Sequence, residues 1–199
     1  MNKTCKYGTN RVIEPVGVLP QAAARISNYM EIFSNEILID VISLNIDSAS
    51  FAQLKGEAAG DADKIAAKIM EIVNDRGKMQ NPVTGSGGML IGKIAKIGAD
   101  LAGRDLAVGD KIATLVSLSL TPLKISKINA IQMGIDRVDV DAQAILFESG
   151  IYAKLPEDMP EALALAALDV AGAPAQTAKL VKPGDSVLVL GAGGKSGMM

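Results

Sequence analysis

The residues best suited to binding a phosphate form a glycine-rich loop near the end of the sequence. An apolar run at 187–190, opened by a Pro-Gly-Asp turn, is followed by the candidate cofactor-binding residues Gly191, Gly193, Gly194, Lys195, Ser196 and Gly197. This pattern predicts a buried parallel strand that enters a tight loop. Small residues allow backbone N–H groups of such a loop to approach a dinucleotide pyrophosphate. The loop therefore predicts a dinucleotide site, with a purely structural tight turn as the alternative.

The same loop is too short to wrap a triphosphate. Its Gly-Lys-Ser sequence also ends the P-loop motif, but that motif requires glycine at position 189, where this chain has valine. A dinucleotide fold also needs a crossover helix, a second strand and a ribose-binding residue about 20 residues further on. The sequence ends at Met199. We therefore expect these residues to be the front portion of a longer enzyme, inactive by itself.

The amino-acid composition limits the catalytic groups that this chain can supply. The sequence has no histidine and a single cysteine, Cys5, so a Ser-His-Asp triad, a Cys-His pair and an internal disulfide are excluded, and proton transfer falls to Asp, Glu, Lys, Tyr or water.

A net charge of -2 and 49% hydrophobic residues give no electrostatic reason to bind nucleic acid or an anionic membrane. No apolar run reaches the roughly 18 residues of a membrane span. Without a signal-peptide core after Met1, we expect a cytoplasmic protein.

Strands and turns dominate the first three quarters of the chain. Apolar and β-branched residues predict strands near 11–16 and over 36–47, 89–98, 108–118, 138–140 and 144–147. Short strands separated by Gly and Asp turns predict a closed, barrel-like β domain over residues 1–155. A Pro-rich hinge, two small helices at 161–169 and 175–180 and the terminal strand then make up residues 156–199.

One helix and two loops complete this prediction. Apolar residues at helical spacing, with Asp61 as the N-cap and Gly77 just past the end, predict an amphipathic helix over 61–75. The polar residues that follow Asn45 indicate a loop. A second loop over 81–88 has enough glycine to bring its backbone close to either a ligand or another strand.

The order of these parts resembles the medium-chain dehydrogenase/reductase superfamily. The resemblance rests on 182–191, which opens a nucleotide domain, and on 108–113, which resembles the superfamily's Gly-Asp-x-Val strand. It implies a GroES-like barrel catalytic domain followed by the first strand and glycine loop of a Rossmann domain. Zinc-type members use Cys and His ligands, whereas Asn45 stands about where the first Cys ligand would be. The resemblance therefore implies metal-free hydride transfer and no metal site.

Four longer motifs resemble one family of that superfamily, the 3,5-diaminohexanoate dehydrogenases of lysine fermentation. They lie at 8–15, 45–51, 81–92 and 166–174. This resemblance implies NAD as the cofactor and a small diamino acid as the substrate. The implied reaction is oxidative deamination of L-erythro-3,5-diaminohexanoate to 5-amino-3-oxohexanoate, with release of ammonium. We also expect the full-length protein to form a homo-oligomer.

Two carboxylates are the catalytic candidates for such a reaction. A carbon that bears an amine gives up hydride only when the amine is neutral, and a nearby carboxylate can hold the ammonium and accept its proton. Asp47 stands about where the proton-relay hydroxyls of alcohol dehydrogenases lie, and Asp169 interrupts an Ala/Leu helix near the expected cleft. The alternative for Asp47 is a loop carboxylate that caps backbone N–H groups. The alternative for Asp169 is a carboxylate at a helix end that pairs with a lysine. Thr84, Ser86 and Glu148 are weaker candidates, expected only to line the cleft.

Two other functions stay open from the sequence. A chain that ends naturally at Met199 would be a non-catalytic, GroES-like barrel module that binds a partner. A zinc-free, quinone-reductase-like oxidoreductase with an apolar substrate is the other alternative, and carboxylates such as Asp47 and Asp169 in the cleft count against it.

Overall fold

A computed structural model describes residues 3–156, 158–161, 163–164, 168 and 172–190 of the chain. The chain divides into two compact units, Met1–Leu155 and Pro156–Met199. The first unit contains every strand that the structure describes, and the second contains one described helix with well-defined bounds.

An antiparallel sheet forms the body of the first unit. Its described strands are β1 Val12–Glu14, β2 Arg25–Ile26, β3 Glu36–Ile46, β4 Gly88–Ile97, β5 Lys111–Thr114, β6 Leu123–Gln132, β7 Arg137–Phe147 and β8 Tyr152–Lys154. Six of them form one sheet in the order β6-β7-β3-β4-β5-β8, and β1 pairs with β2 separately. The central strand, β3, alternates buried and less buried positions over residues 37–43 and pairs with β4 on one side and β7 on the other.

The described strands form an open ladder, not the closed one predicted, because β6 and β8 lie at opposite edges of the sheet. At the start of β6, the backbone groups on its outer edge bond to residues outside the sheet instead of to a neighbouring strand. There the Leu123 N–H donates to the Gly77 carbonyl, and the Asn28 side chain donates to the Leu123 carbonyl at 2.7 Å. These contacts satisfy backbone groups that closure would otherwise have paired.

Two helices pack on the sheet in this unit, α1 Ser48–Glu57 and α2 Ala62–Arg76. The predicted α2 is confirmed: Asp61 caps its N-terminus and Gly77 ends it with φ of 73°, in the left-handed region that glycine adopts without strain. Helix α1 was not predicted. The polar residues after Asn45 that indicated a loop instead contain the N-cap and first turn of this helix.

The core lies between the sheet and these helices. It includes Ile37, Ile39, Leu44 and Ile46 of β3, Phe51 and Leu54 of α1, and Ile65, Ile69, Ile72 and Val73 of α2. Burial of these side chains is the main stabilising contribution, at about 1.5–3 kcal/mol for each large one. The predicted fold class, mainly β with helices, is confirmed for the residues that the structure describes.

The observed strands differ from the predicted ones most at β6 and β7, and the short strands β2 and β8 were not predicted either. The residues predicted as separate strands at 138–140 and 144–147 belong to one continuous strand, β7, because Asp141 and Gln143 occupy its less buried face. Strand β6 was not predicted. From Lys124 onward only Ile125 is buried, and Ile128 and Ile131 are partly buried, as expected of an edge strand with one covered face.

The second unit differs from its prediction at the terminal strand. Helix α3, Gly172–Leu180, confirms the predicted helix over 175–180, and the Pro-Gly-Asp turn forms, with Asp185 N–H donating to the Lys182 carbonyl. Residues 187–190, however, pair with no strand, and Leu188 is 83% exposed. A parallel strand requires a neighbouring strand, and the described part of residues 156–190 contains none.

Candidate active site

Asp47 lies where β3 ends and α1 begins. The last residue of β3, Ile46, pairs with Gly88 at the start of β4, and the Asp47 N–H donates to the Gly87 carbonyl at 3.2 Å. The sheet register therefore places the 81–88 loop beside the first turn of α1. This junction is the candidate active site.

The Asp47 carboxylate caps α1 and keeps one oxygen available. Its Oδ1 accepts a hydrogen bond from the Ala49 N–H at 3.0 Å, as an N-cap does. Its Oδ2 makes no hydrogen bond or ion pair with any residue that the structure describes, and the residue is partly exposed. The predicted capping alternative is therefore observed, and it leaves Asp47 able to accept a bond from a cationic ligand.

Close contacts with backbone explain two of the three glycines in the 81–88 loop, Gly87 and Gly88. A Cβ on Gly88, whose φ is 120°, would overlap the Asn45 carbonyl. A Cβ on Gly87 would approach the Met79 carbonyl to 2.8 Å and would overlap the Ser119 N–H. Of the two alternatives that the sequence left open, these two glycines permit the close approach of other strands and loops.

Asn81 holds this loop against α1. The side chain is fully buried, and its Nδ2 donates to Gln53 Oε1 at 2.7 Å and to the Ser50 carbonyl at 3.4 Å. Its Oδ1 accepts from the Val83 N–H at 2.8 Å and from the Thr84 N–H at 3.3 Å. One side chain thus fixes both the helix turn and the loop backbone, a role that was not predicted from the sequence. Asparagine ahead of Pro-Val-Thr is the signal of such an Asx turn.

A pair of hydroxyl groups links the same two segments. Ser50 Oγ lies 2.6 Å from Thr84 Oγ1, and the Ser86 N–H donates to Thr84 Oγ1 at 3.3 Å. Ser50 is buried, whereas Thr84 is exposed. Of the weaker candidates, Thr84 and Ser86 therefore lie in the loop that packs beside the Asp47 turn.

A buried lysine and a glutamine fix the residues just before this loop. The Lys78 ammonium donates to the Pro20 carbonyl at 2.6 Å and to the Gln21 carbonyl at 3.4 Å. Gln80 donates to the Gln21 carbonyl at 3.1 Å and to the Gly85 carbonyl at 3.2 Å. Burial, together with the charge of Arg76, lowers the pKa of Lys78 from 10.5 to about 8.

Glu148 does not join Asp47. It follows β7, whose last residue, Phe147, pairs with Glu36 at the start of β3, so the length of an 11-residue strand, about 30 Å, separates the two carboxylates. Its side chain accepts a hydrogen bond from Asn35 at 2.9 Å, which is the main reason that its pKa is lowered, with desolvation opposing and Lys3 assisting. Glu148 has a structural role at the opposite end of the sheet.

The remaining candidates lie outside the described residues. They are Asp169 and the glycine-loop residues Gly191, Gly193, Gly194, Lys195, Ser196 and Gly197. Among the residues that the structure does describe, no three His, Cys, Asp or Glu side chains are grouped to hold a metal. Within the same part of the chain, no helix has the length and apolarity needed to cross a membrane.

Comparison with known proteins identifies the family. Residues 10–156 match the family described as the L-erythro-3,5-diaminohexanoate dehydrogenase N-terminal domain. The chain belongs to this family. The match includes Asp47, Asn81, Thr84 and the whole six-stranded sheet, so the candidate site lies within the family's N-terminal domain.

Two relatives carry the name of the family. The chain is 76% identical over 198 residues to L-erythro-3,5-diaminohexanoate dehydrogenase of Acetoanaerobium sticklandii. It is 73% identical over 200 residues to the enzyme of that name from Fusobacterium nucleatum subsp. nucleatum. The matches cover 99% and 100% of this chain but 58% of each relative. The family resemblance inferred from the four sequence motifs is confirmed.

One solved structure shows a weaker likeness. A crystal structure described as a zinc-binding dehydrogenase of Clostridium scindens is 20% identical, with a TM-score of 0.40, over 84% of this chain and 45% of the other. That score is too low to establish a common fold.

Proposed function

We propose that the complete protein is an NAD-dependent dehydrogenase that deaminates L-erythro-3,5-diaminohexanoate oxidatively. The observation that carries this proposal is the Asp47 carboxylate: in a chain of this family, it stands partly exposed at a strand end with Oδ2 unpartnered among the described residues. A carboxylate in that state can bind a substrate ammonium and accept a proton from it.

The proposed reaction needs a base twice. Asp47 first holds the 3-ammonium group and accepts a proton, so that the amine lone pair can form a C=N bond as the C3 hydrogen leaves with its electron pair. NAD supplies the acceptor for that hydride. Water then adds to C3 and gives up a proton to a base, the C–N bond breaks and ammonia leaves, which gives 5-amino-3-oxohexanoate, reduced NAD and, after protonation, ammonium.

Other parts of the proposal rest on sequence and family. We propose Gly191, Gly193, Gly194, Lys195, Ser196 and Gly197 as the residues that hold NAD, and Asp169 as a second carboxylate toward the substrate. We propose a GroES-like catalytic domain joined to a Rossmann domain, metal-free hydride transfer, and a cytoplasmic homo-oligomer. The 58% coverage of the two relatives makes each of these a statement about the complete protein.

The test uses the enzyme expressed from its complete gene. Formation of reduced NAD is measured with the diamino acid for the wild type, Asp47→Asn and Asp169→Asn, with Asp61→Asn as the control. We expect the wild type and the control to turn over and both site variants to lose most activity. A wild-type enzyme that reduces no NAD with this substrate contradicts the function, and full turnover by both site variants contradicts the assignment of the base. A tightly bound metal in the purified enzyme contradicts metal-free transfer.

A further inference from the structure

Thr84 is the exposed member of a hydrogen-bonded pair whose other member is buried. Ser50 has 0% exposure, and its Oγ lies 2.6 Å from Thr84 Oγ1. Within the described part of the chain, Thr84 is the hydrogen-bond partner of this buried hydroxyl. The direction of that bond therefore decides where the Thr84 proton points.

Elementary hydrogen-bond counting settles the direction. A hydroxyl group has one proton to donate and two lone pairs to accept. If Thr84 donated to Ser50, the Ser50 proton would be buried without an acceptor, which is unfavourable. Thr84, by contrast, can donate outward. Ser50 is therefore the donor and Thr84 Oγ1 the acceptor.

A second donor fills the remaining lone pair of Thr84. The Ser86 N–H donates to Thr84 Oγ1 at 3.3 Å, so both acceptor positions are occupied and the Thr84 proton is directed away from the loop. The buried Asn81 side chain fixes this arrangement because it accepts from the Thr84 N–H and donates to Gln53 of α1. The result is a pre-oriented O–H donor on an exposed residue.

We infer that Thr84 binds the carboxylate of the amino-acid substrate and so determines specificity at this site. This inference rests on the proposed function. Ser50, its partner, lies in the first turn of α1, which Asp47 caps. A β-amino acid carries a carboxylate and a 3-amino group separated by one methylene and C3. Thr84 donates to the carboxylate and Asp47 accepts from the ammonium.

The experiment compares Thr84→Val, which keeps the shape and removes the O–H, with Thr84→Ser, which retains it, in the full-length enzyme. We expect Thr84→Val to raise KM for the diamino acid about ten-fold or more, as loss of one hydrogen bond to a charged acceptor does, with kcat within about two-fold. Thr84→Ser should restore most of the wild-type KM. With the carboxamide of the substrate, which lacks the charge, the wild type and Thr84→Val should differ much less.

A second measurement does not depend on turnover. Binding of 3-aminobutanoate, a β-amino acid without the distal amine, is measured by calorimetry on the same enzymes and should weaken about ten-fold in Thr84→Val and little in Thr84→Ser. Should Thr84→Val not fold, Thr84→Ala takes its place. An active wild type whose KM and 3-aminobutanoate affinity are unchanged by removal of the hydroxyl overturns the inference and leaves the proposed function standing. A wild type without dehydrogenase activity overturns the function itself.

Discussion

Helices α1 and α2 begin with the same residue type and use it differently. At α2, Asp61 Oδ1 accepts from the Asp63 and Lys64 N–H groups at 3.0 and 3.1 Å, and Oδ2 lies 3.9 Å from the Lys64 ammonium. At α1, Asp47 Oδ1 accepts only from Ala49, and Oδ2 has no partner among the described residues. Asp61 is thus a saturated cap, in which residues of α2 contact both carboxylate oxygens. Asp47 caps α1 through Oδ1 and leaves Oδ2 available to a ligand.

The two helices also differ in the contacts that specify them. Helix α2 buries Ile65, Ile69, Ile72 and Val73 on one face, so the apolar pattern in its own sequence specifies both the helix and the face that packs. Helix α1 buries Ser50, Phe51 and Leu54 and is tied by hydrogen bonds to a loop about 30 residues later in the chain. The helix that local sequence specifies serves packing, and the helix that distant contacts specify carries the candidate site.

Asp47→Asn gives the largest expected effect. Asparagine caps a helix about as well as aspartate, so thermal unfolding of the full-length enzyme should change little. Loss of the negative charge and of the base should reduce kcat with the diamino acid by about 100-fold or more. The assay is formation of reduced NAD at saturating substrate.

Asp61→Asn is the matched control for that variant, since it makes the same chemical change at the saturated cap. It should retain wild-type turnover. If the two variants lose activity to the same degree, the difference between the two caps has no functional meaning.

Asn81→Ala tests whether distant contacts maintain α1. The change removes four hydrogen bonds made by one buried side chain, and a typical hydrogen bond contributes about 0.5–1.5 kcal/mol to stability. We expect the free energy of unfolding in urea to fall by about 2–4 kcal/mol. Asn129→Ala, which removes one exposed bond to Asp141, should change it by less than about 0.5 kcal/mol. Equal effects from the two asparagines would mean that the Asn81 contacts do not support the helix.

This contrast also explains which features the sequence predicts. The four apolar residues of α2 recur with helical spacing, and the alternating residues of β3 specify a strand, so both were predictable from local pattern. The local signal for α1 is weaker, because the small and polar residues at its start are also typical of a loop, and Ser50 and Gln53 make contacts that only the sheet register creates. The 187–190 run has the composition of a buried strand, yet composition supplies no neighbouring strand. Asp47 was identified from family position, whereas its partners Ser50 and Asn81 required the fold.

Lys78, just past the end of α2, gives a pH-dependent prediction. Folding lowers its pKa from 10.5 to about 8, so the unfolded chain binds the proton more tightly and the lysine contributes least to stability below about pH 8. The free energy of unfolding of the wild type, minus that of Lys78→Met, should therefore rise between pH 8 and 10.5. Urea unfolding at a series of pH values measures this difference, and a flat or falling difference would contradict the lowered pKa.

Asp61→Ala gives the smallest effect and separates stability from chemistry. Loss of the cap on α2 should lower the free energy of unfolding by about 1 kcal/mol, measured in urea, while kcat per folded molecule stays at the wild-type value because Asp61 has both oxygens occupied by its own helix. Asp47→Ala should lose a similar amount of stability and, in addition, its turnover. If Asp61→Ala also loses turnover, activity follows helix stability in general, and the unpartnered oxygen of Asp47 is not what distinguishes the two helices.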